Sequence, residues 1–261
     1  MTKTATTKRA ASGLQNNNAF RALVRVGYAA NGVLHVLIGA LAVQIAFGGN
    51  ASADQNGAFR AVADAPAGGI LLWVIVAGTV ALGLFQVVEL IGATEWADRA
   101  KFIGKAVAYV AIGIIAATVA LGGSTGGGEQ SFSAKLLQLP IGVVLLIVVA
   151  LGVAAIGVYL AAKGVRQKYL DDLTRPTGTA LTVTKVTGTA GYVAKGIALV
   201  IVAGFLAVAA ITHDASQAEG LDGALTSLTA LPFGQVLLVL VALGLVLFGV
   251  YCFVRARFAR L

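Results

Sequence analysis

The sequence predicts an all-α polytopic membrane protein, with six transmembrane helices built as three tandem helical-hairpin repeats in a pseudo-threefold arrangement. Three observations carry that prediction. Hydrophobic residues fill 58% of the 261 positions and charged residues only 11%, whereas a soluble domain carries about a quarter charged residues. Six apolar runs, at about 23–47, 68–92, 102–121, 141–163, 190–211 and 233–254, each match the roughly 20 residues needed to cross hydrocarbon. Finally, one motif recurs three times: Pro66-Ala67-Gly68-Gly69-Ile70-Leu71-Leu72, Pro140-Ile141-Gly142-Val143-Val144-Leu145-Leu146 and Pro232-Phe233-Gly234-Gln235-Val236-Leu237-Leu238.

Residues 1–20, rich in Thr, Ala, Asn and Lys and without periodicity, predict a disordered tail. Each apolar run after it must be a helix, because a span in lipid has to satisfy its own backbone hydrogen bonds. The even-numbered spans share a register. Twelve residues after each proline stands a glycine (Gly78, Gly152, Gly244), and seventeen after it another (Gly83, Gly157, Gly249). Nineteen after it stands an aromatic residue: Phe85, Tyr159 or Tyr251. The odd-numbered spans repeat as well. Arg25 falls on Arg99, Tyr28 on Phe102 and Asn31 on Lys105, and Gly27-Tyr28-Ala29-Ala30-Asn31-Gly32 matches Gly191-Tyr192-Val193-Ala194-Lys195-Gly196. Such self-similarity marks a repeat architecture, with copies at 21–98, 99–184 and 185–261.

The loops after spans one, three and five each end in a short amphipathic stretch, at residues 57–64, 131–137 and 223–228. Apolar residues three or four apart there predict two-turn helices lying in the membrane interface. The proline that follows suits the first turn of the next span. The run 122–128, mostly glycine, reads as flexible loop.

Seventeen of the nineteen basic residues lie in the N-terminal segment, in the turns after spans two and four or at the C-terminus, leaving only Arg60 and Lys135 on the other side. That bias predicts a multi-pass protein of the cytoplasmic membrane with both termini in the cytoplasm. It also assigns the net charge of +8 to topology and lipid, with no nucleic-acid partner. A single cysteine, Cys252, excludes an internal disulfide and any multi-cysteine metal site.

The pattern resembles the DUF1206 membrane proteins, a mainly actinobacterial family whose members carry three copies of a two-helix unit. The two Gly-Tyr hexapeptides carry the likeness, with Gly223-Ala224-Leu225, Pro232-Phe233-Gly234 and Val241-Ala242-Leu243-Gly244-Leu245. It spans about Arg21 to Arg257, and the second copy departs from it at Lys101, Phe102 and Ala106. The family name records no biochemical function, so the resemblance implies architecture and supplies no chemistry.

Few residues are candidates for chemistry. Gly32, Gly39, Gly78, Gly83, Gly113, Gly152, Gly157, Gly196, Gly244 and Gly249 are expected to let neighbouring helices approach closely. Asn31, Lys105 and Lys195 are equivalent in the repeat and would form one polar ring around a threefold axis, an anion or lipid-headgroup site; the alternative is that both lysines snorkel to the interface. Glu89, the acidic residue inside a span, is expected to pair with a nearby Lys or Arg, or to relay a proton or cation with Gln86. Gln44 and Thr118 read as interhelical hydrogen-bond groups. His35 and His213 stand at different depths, which opposes a bis-histidine haem. No phosphate loop, zinc motif or nucleophile–base pair is present, so the sequence predicts neither an enzyme nor a cofactor. The leading reading is a structural or interaction (accessory) protein whose partners are membrane lipids and another membrane protein. The alternative is a transporter or channel for a small solute, anion or lipid along the threefold axis.

Overall fold

The computed structural model describes residues 13, 17–123, 128–174, 176–214, 216 and 220–261. Most of the predicted tail and the middle of the glycine-rich loop fall outside these residues. In chain order the helices are α1 (Asn18–Ala46), α2 (Gln55–Ala63), α3 (Gly68–Gly92), α4 (Trp96–Ala120), α5 (Gly128–Leu137) and α6 (Gly142–Val165). A 3-10 turn (Lys168–Asp172), α7 (Gly178–Thr212), α8 (Leu221–Leu228) and α9 (Gly234–Phe258) follow. Among the described residues, α1, α3, α4, α6, α7 and α9 are long and apolar enough to cross a membrane. The chain is a multi-pass helical membrane protein.

Three spanning helices start earlier than their apolar runs. Hydropathy marks only the part of a helix that meets lipid, while the hydrogen-bond ladder runs on through polar flanks. At α1 the Asn17 side chain caps the new start, its Oδ1 accepting from the backbone N–H groups of Ala19 (2.9 Å) and Phe20 (3.2 Å). The 35 residues of α7 extend roughly 50 Å, well beyond a hydrocarbon core of about 30 Å.

The repeated proline does not sit in the first turn of the next span, as its sequence context predicts. It occupies a tight turn two residues before α3, α6 and α9. In each copy the glycine N–H closes that turn on the carbonyl three residues back: Gly68 on Ala65, Gly142 on Leu139 and Gly234 on Leu231, at 2.8–2.9 Å. Proline pre-sets the first corner. The next residue, Ala67 or Phe233, takes a positive φ of 60° in copies one and three. The glycine is required for another reason: a Cβ on Gly68, Gly142 or Gly234 would run into the carbonyl oxygen of Val62, Leu136 or Leu228 at the end of the short helix before it. The Pro-x-Gly motif is therefore the geometry by which a short helix folds back onto the head of a span.

The short helices α2, α5 and α8 form as predicted, but two of their apolar faces are packed against the protein rather than presented to lipid. Ala58 and Phe59 of α2, and Ala224 and Leu225 of α8, are fully buried. Asp54 caps α2, accepting from Gly57 N–H at 2.7 Å, and Asp222 of α8 accepts from Ala53 N–H at 2.6 Å.

The chain forms two compact units. The first comprises Met1–Val33, Phe59–Ser124 and Cys252–Leu261. In it α3 packs on α4, and Val24 and Tyr28 of α1 share a core with Ala81, Leu82, Phe85 and Ala259. The second comprises Leu34–Ala58 and Thr125–Tyr251. In it α6 packs on α7, and Leu146 meets Ala209 and Ala210. The spans differ in how much they bury. The apolar windows of α1, α3 and α9 are 50% buried, those of α4 and α6 only 11% and 17%.

Candidate functional site

In the second unit the apolar spans enclose a column of polar and aromatic side chains. His35, near the middle of α1, is buried, and its Nε2 lies 2.9 Å from Nζ of Lys195 on α7. At that distance one nitrogen donates to the other, with the roles set by the imidazole tautomer. Phe248 of α9 closes the group. Its ring centroid is 4.7 Å from that of His35 and 4.4 Å from the Lys195 ammonium, within cation–π range.

The column continues through Tyr192, edge-on to Phe248 at 5.2 Å, to Tyr169 and Tyr251. Tyr169 comes from the 3-10 turn and is fully buried. Its hydroxyl donates to the Lys185 carbonyl and contacts Thr189 Oγ1, both at 2.9 Å. Gly188 admits it, because a Cβ there would strike the Tyr169 ring. Lys163 of α6 stands over the Tyr192 ring at 5.4 Å and pairs with Asp172 of the 3-10 turn at 2.6 Å. Paired charges and satisfied hydroxyls are what burial in a low dielectric demands.

The first unit holds a second set. Asn31 Nδ2 donates to Cys252 Sγ at 3.4 Å, and the Arg255 guanidinium lies 4.5 Å above the Tyr28 ring. Lys105 lies 5.8 Å from the Phe102 ring centroid, while Lys101 pairs with Asp98 at 2.6 Å. Gln86 is buried and Glu89 half-buried on α3. Of the residues equated by the repeat, Asn31 and Lys105 belong to the first unit and Lys195 to the second. Each engages a neighbour of its own.

Most of the glycines selected from the sequence are contact points. Gly78 meets Gly27 backbone to backbone, Gly157 meets Gly196, Gly39 meets Ala242 and Val246, and Gly244 meets Ala194. Gly113 faces Thr79, and Gly83 makes ordinary contact with Tyr109; Gly32 and Gly249 are buried. Gly152 is a correction. It is exposed on α6, and a Cβ there would meet nothing within 4 Å, because that face of α6 turns away from α7. Gln44 and Thr118 are corrections too. Gln44 is exposed, and Thr118 donates to Ile114 of its own helix at 2.9 Å, which an isolated hydroxyl can always do in a span. His213, with φ of 55°, ends α7 as a left-handed cap.

The pairing of His35 with Lys195 is the feature that reading the copies side by side misses. Lys195 is equivalent to Asn31, and His35 stands one turn beyond Asn31 on α1. The contact therefore joins non-equivalent positions of the first and third copies. The apolar runs place His35 about twelve residues into the first span and Lys195 about five into the fifth, so no shared depth in the sequence brings them together.

Three segments, residues 26–89, 100–167 and 190–259, match the family described as "Domain of Unknown Function (DUF1206)". The chain is 31% identical over 243 residues to "Uncharacterized protein YxxB" of Bacillus subtilis (strain 168), covering 88% of each. No solved structure matches.

Proposed function

The chain belongs to the DUF1206 family, and from that premise we propose that it is a structural or interaction protein of the cytoplasmic membrane, with both termini in the cytoplasm. The observation that carries this reading is what the polar groups of the spans do. Lys163 is held by Asp172, Lys195 by His35 and Phe248, Asn31 by Cys252 and Tyr169 by Lys185 and Thr189. Side chains committed to internal bonds brace helices, as interhelical polar contacts in lipid do.

The contacts also support a cyclic order for copies bounded at 21–98, 99–184 and 185–261. The second helix of copy one packs on the first of copy two (α3 on α4), and that of copy two on copy three (α6 on α7). That of copy three meets copy one through Arg255 with Tyr28, Cys252 with Asn31, and Val246 with Gly39. The lightly buried spans α4 and α6 are the faces left for lipid or a protein neighbour.

One observation favours the second reading, a transporter. His35 and Lys195 are two titratable groups meeting inside apolar helices, and such groups commonly mark proton or solute paths. Purified protein in sealed proteoliposomes separates the two. The interaction reading expects proton and anion flux at the level of protein-free vesicles, and a photo-crosslinker at position 152 of α6 to trap one recurrent membrane protein in cells. Flux that falls in His35→Gln and Lys195→Met would replace it with transport.

A further inference from the structure

We propose that Arg25, Tyr28 and Arg255 form a binding site for a phosphate monoanion or diester at the membrane surface. The argument starts from a geometry used twice. Lys163 and Arg255 both stand twenty-three residues after their prolines, and each lies over the tyrosine of a Gly-Tyr motif: Lys163 over Tyr192 at 5.4 Å and Arg255 over Tyr28 at 4.5 Å. At the first of these junctions the protein supplies its own anion, Asp172, 2.6 Å from Lys163. The residue three before Tyr192 is Thr189, which is occupied by the Tyr169 hydroxyl.

The second junction differs in charge. Three residues before Tyr28, in place of Thr189, stands Arg25. Residues three apart on a helix share a face, so this junction presents two guanidinium groups where the other presents one ammonium. Nε of Arg25 is buried and, among the described residues, has no hydrogen-bond partner. An N–H of a guanidinium buried without an acceptor is costly, which points to an occupant that accepts hydrogen bonds and carries negative charge. Guanidinium groups present planar forks of donors that match phosphate oxygens.

Position fits the same ligand. Arg25 lies seven residues into α1 and Arg255 three residues from the end of α9, roughly 10 Å and 5 Å along their axes. That is the headgroup level of a span rather than its hydrocarbon centre. Tyr28 belongs to the buried core with Val24, Phe85 and Ala259, so it is a fixed platform beneath the Arg255 guanidinium. The site is independent of whether the protein transports or braces.

The test uses the full chain purified in neutral maltoside detergent at constant ionic strength. It is titrated separately with a short-chain phosphatidylglycerol and with inorganic phosphate, and binding is read by native mass spectrometry and by thermal shift. Saturable binding is expected, weakened about tenfold or more in Arg25→Gln and in Arg255→Gln, the size of losing one charge-assisted hydrogen bond. Arg255→Lys keeps the charge without the fork and should fall in between. Arg260→Gln, at an exposed position, should bind as the wild type does. Helix content by circular dichroism identifies any variant that has lost its fold. Preference for phosphatidylglycerol assigns the site to a lipid headgroup, and equal or better binding of inorganic phosphate assigns it to the free anion; either supports the site. Three results would overturn it: no saturable binding of either probe, an equal loss in Arg260→Gln, or binding that appears only in Glu89→Gln, which would make Glu89 the counter-charge.

Discussion

Gly196→Ala tests the packing of the span pair α6 and α7 at its tightest point. A Cβ on Gly196 would lie 2.5 Å from the Gly157 oxygen and 2.7 Å from the Ala161 nitrogen, and one on Gly157 would lie 2.7 Å from the Gly196 oxygen. Ordinary contact begins at 3.4 Å, so one methyl on Gly196 demands that the helices part by about 0.9 Å. The opposing atoms are backbone and cannot rotate away. A gap of this size forfeits roughly a quarter to a half of each contact it opens, and overpacking of this kind costs about 1–3 kcal/mol. Alanine's better helix propensity returns up to about 1 kcal/mol. The net expectation is a loss of about 1 kcal/mol. Gly152→Ala is the matched control on the same helix pair, because a Cβ there meets nothing within 4 Å; it should fall between neutral and about 1 kcal/mol stabilising. Reversible unfolding in mixed dodecyl sulfate and maltoside micelles, followed by far-ultraviolet circular dichroism, reads both. Equal stability of the two variants would refute the close approach of α6 and α7.

Three further substitutions test other joints. Asp172→Asn leaves Lys163 buried beside an amide and should destabilise by about 2 kcal/mol, with Lys163→Met in the same chain recovering most of the loss; a double-mutant cycle in the same unfolding assay measures the coupling. Tyr169→Phe removes the hydroxyl that bonds Lys185 and Thr189 and should cost about 1–2 kcal/mol without changing helix content. Ser133→Ala should stabilise by about 1 kcal/mol, since among the described residues the buried Ser133 hydroxyl has no hydrogen-bond partner and its removal ends that penalty.

The spans and the repeat were legible because both are local. Apolar length and backbone satisfaction dictate helices in lipid, and Pro-x-Gly recurs because each short helix meets the head of the next span in the same turn. The faces of the short helices were half legible. Periodicity marked Phe59 and Leu225 as one-sided but could not say whether lipid or protein would cover that side, since both are apolar. Contacts between copies were not legible. His35 and Lys195 stand 160 residues apart at non-equivalent positions, and Tyr169 enters from a turn whose basic character marks it only as a cytoplasmic loop. Gly152 shows the opposite limit. The repeat preserves its glycine in register with Gly78 and Gly244, yet those two meet a neighbour in the chain and Gly152 does not.

The packing of α9 on α1 is tested at one contact, where Asn31 of α1 meets Cys252 of α9 at 3.4 Å. Asn31→Cys places a thiol opposite the native Cys252, in a chain also given a protease site between α7 and α8. After oxidation with copper phenanthroline and cleavage, the account predicts two fragments that stay joined until reduced, and that separate at once when Cys252 is replaced by Ala. Fragments that part without reductant, with Cys252 in place and oxidant present, would contradict it.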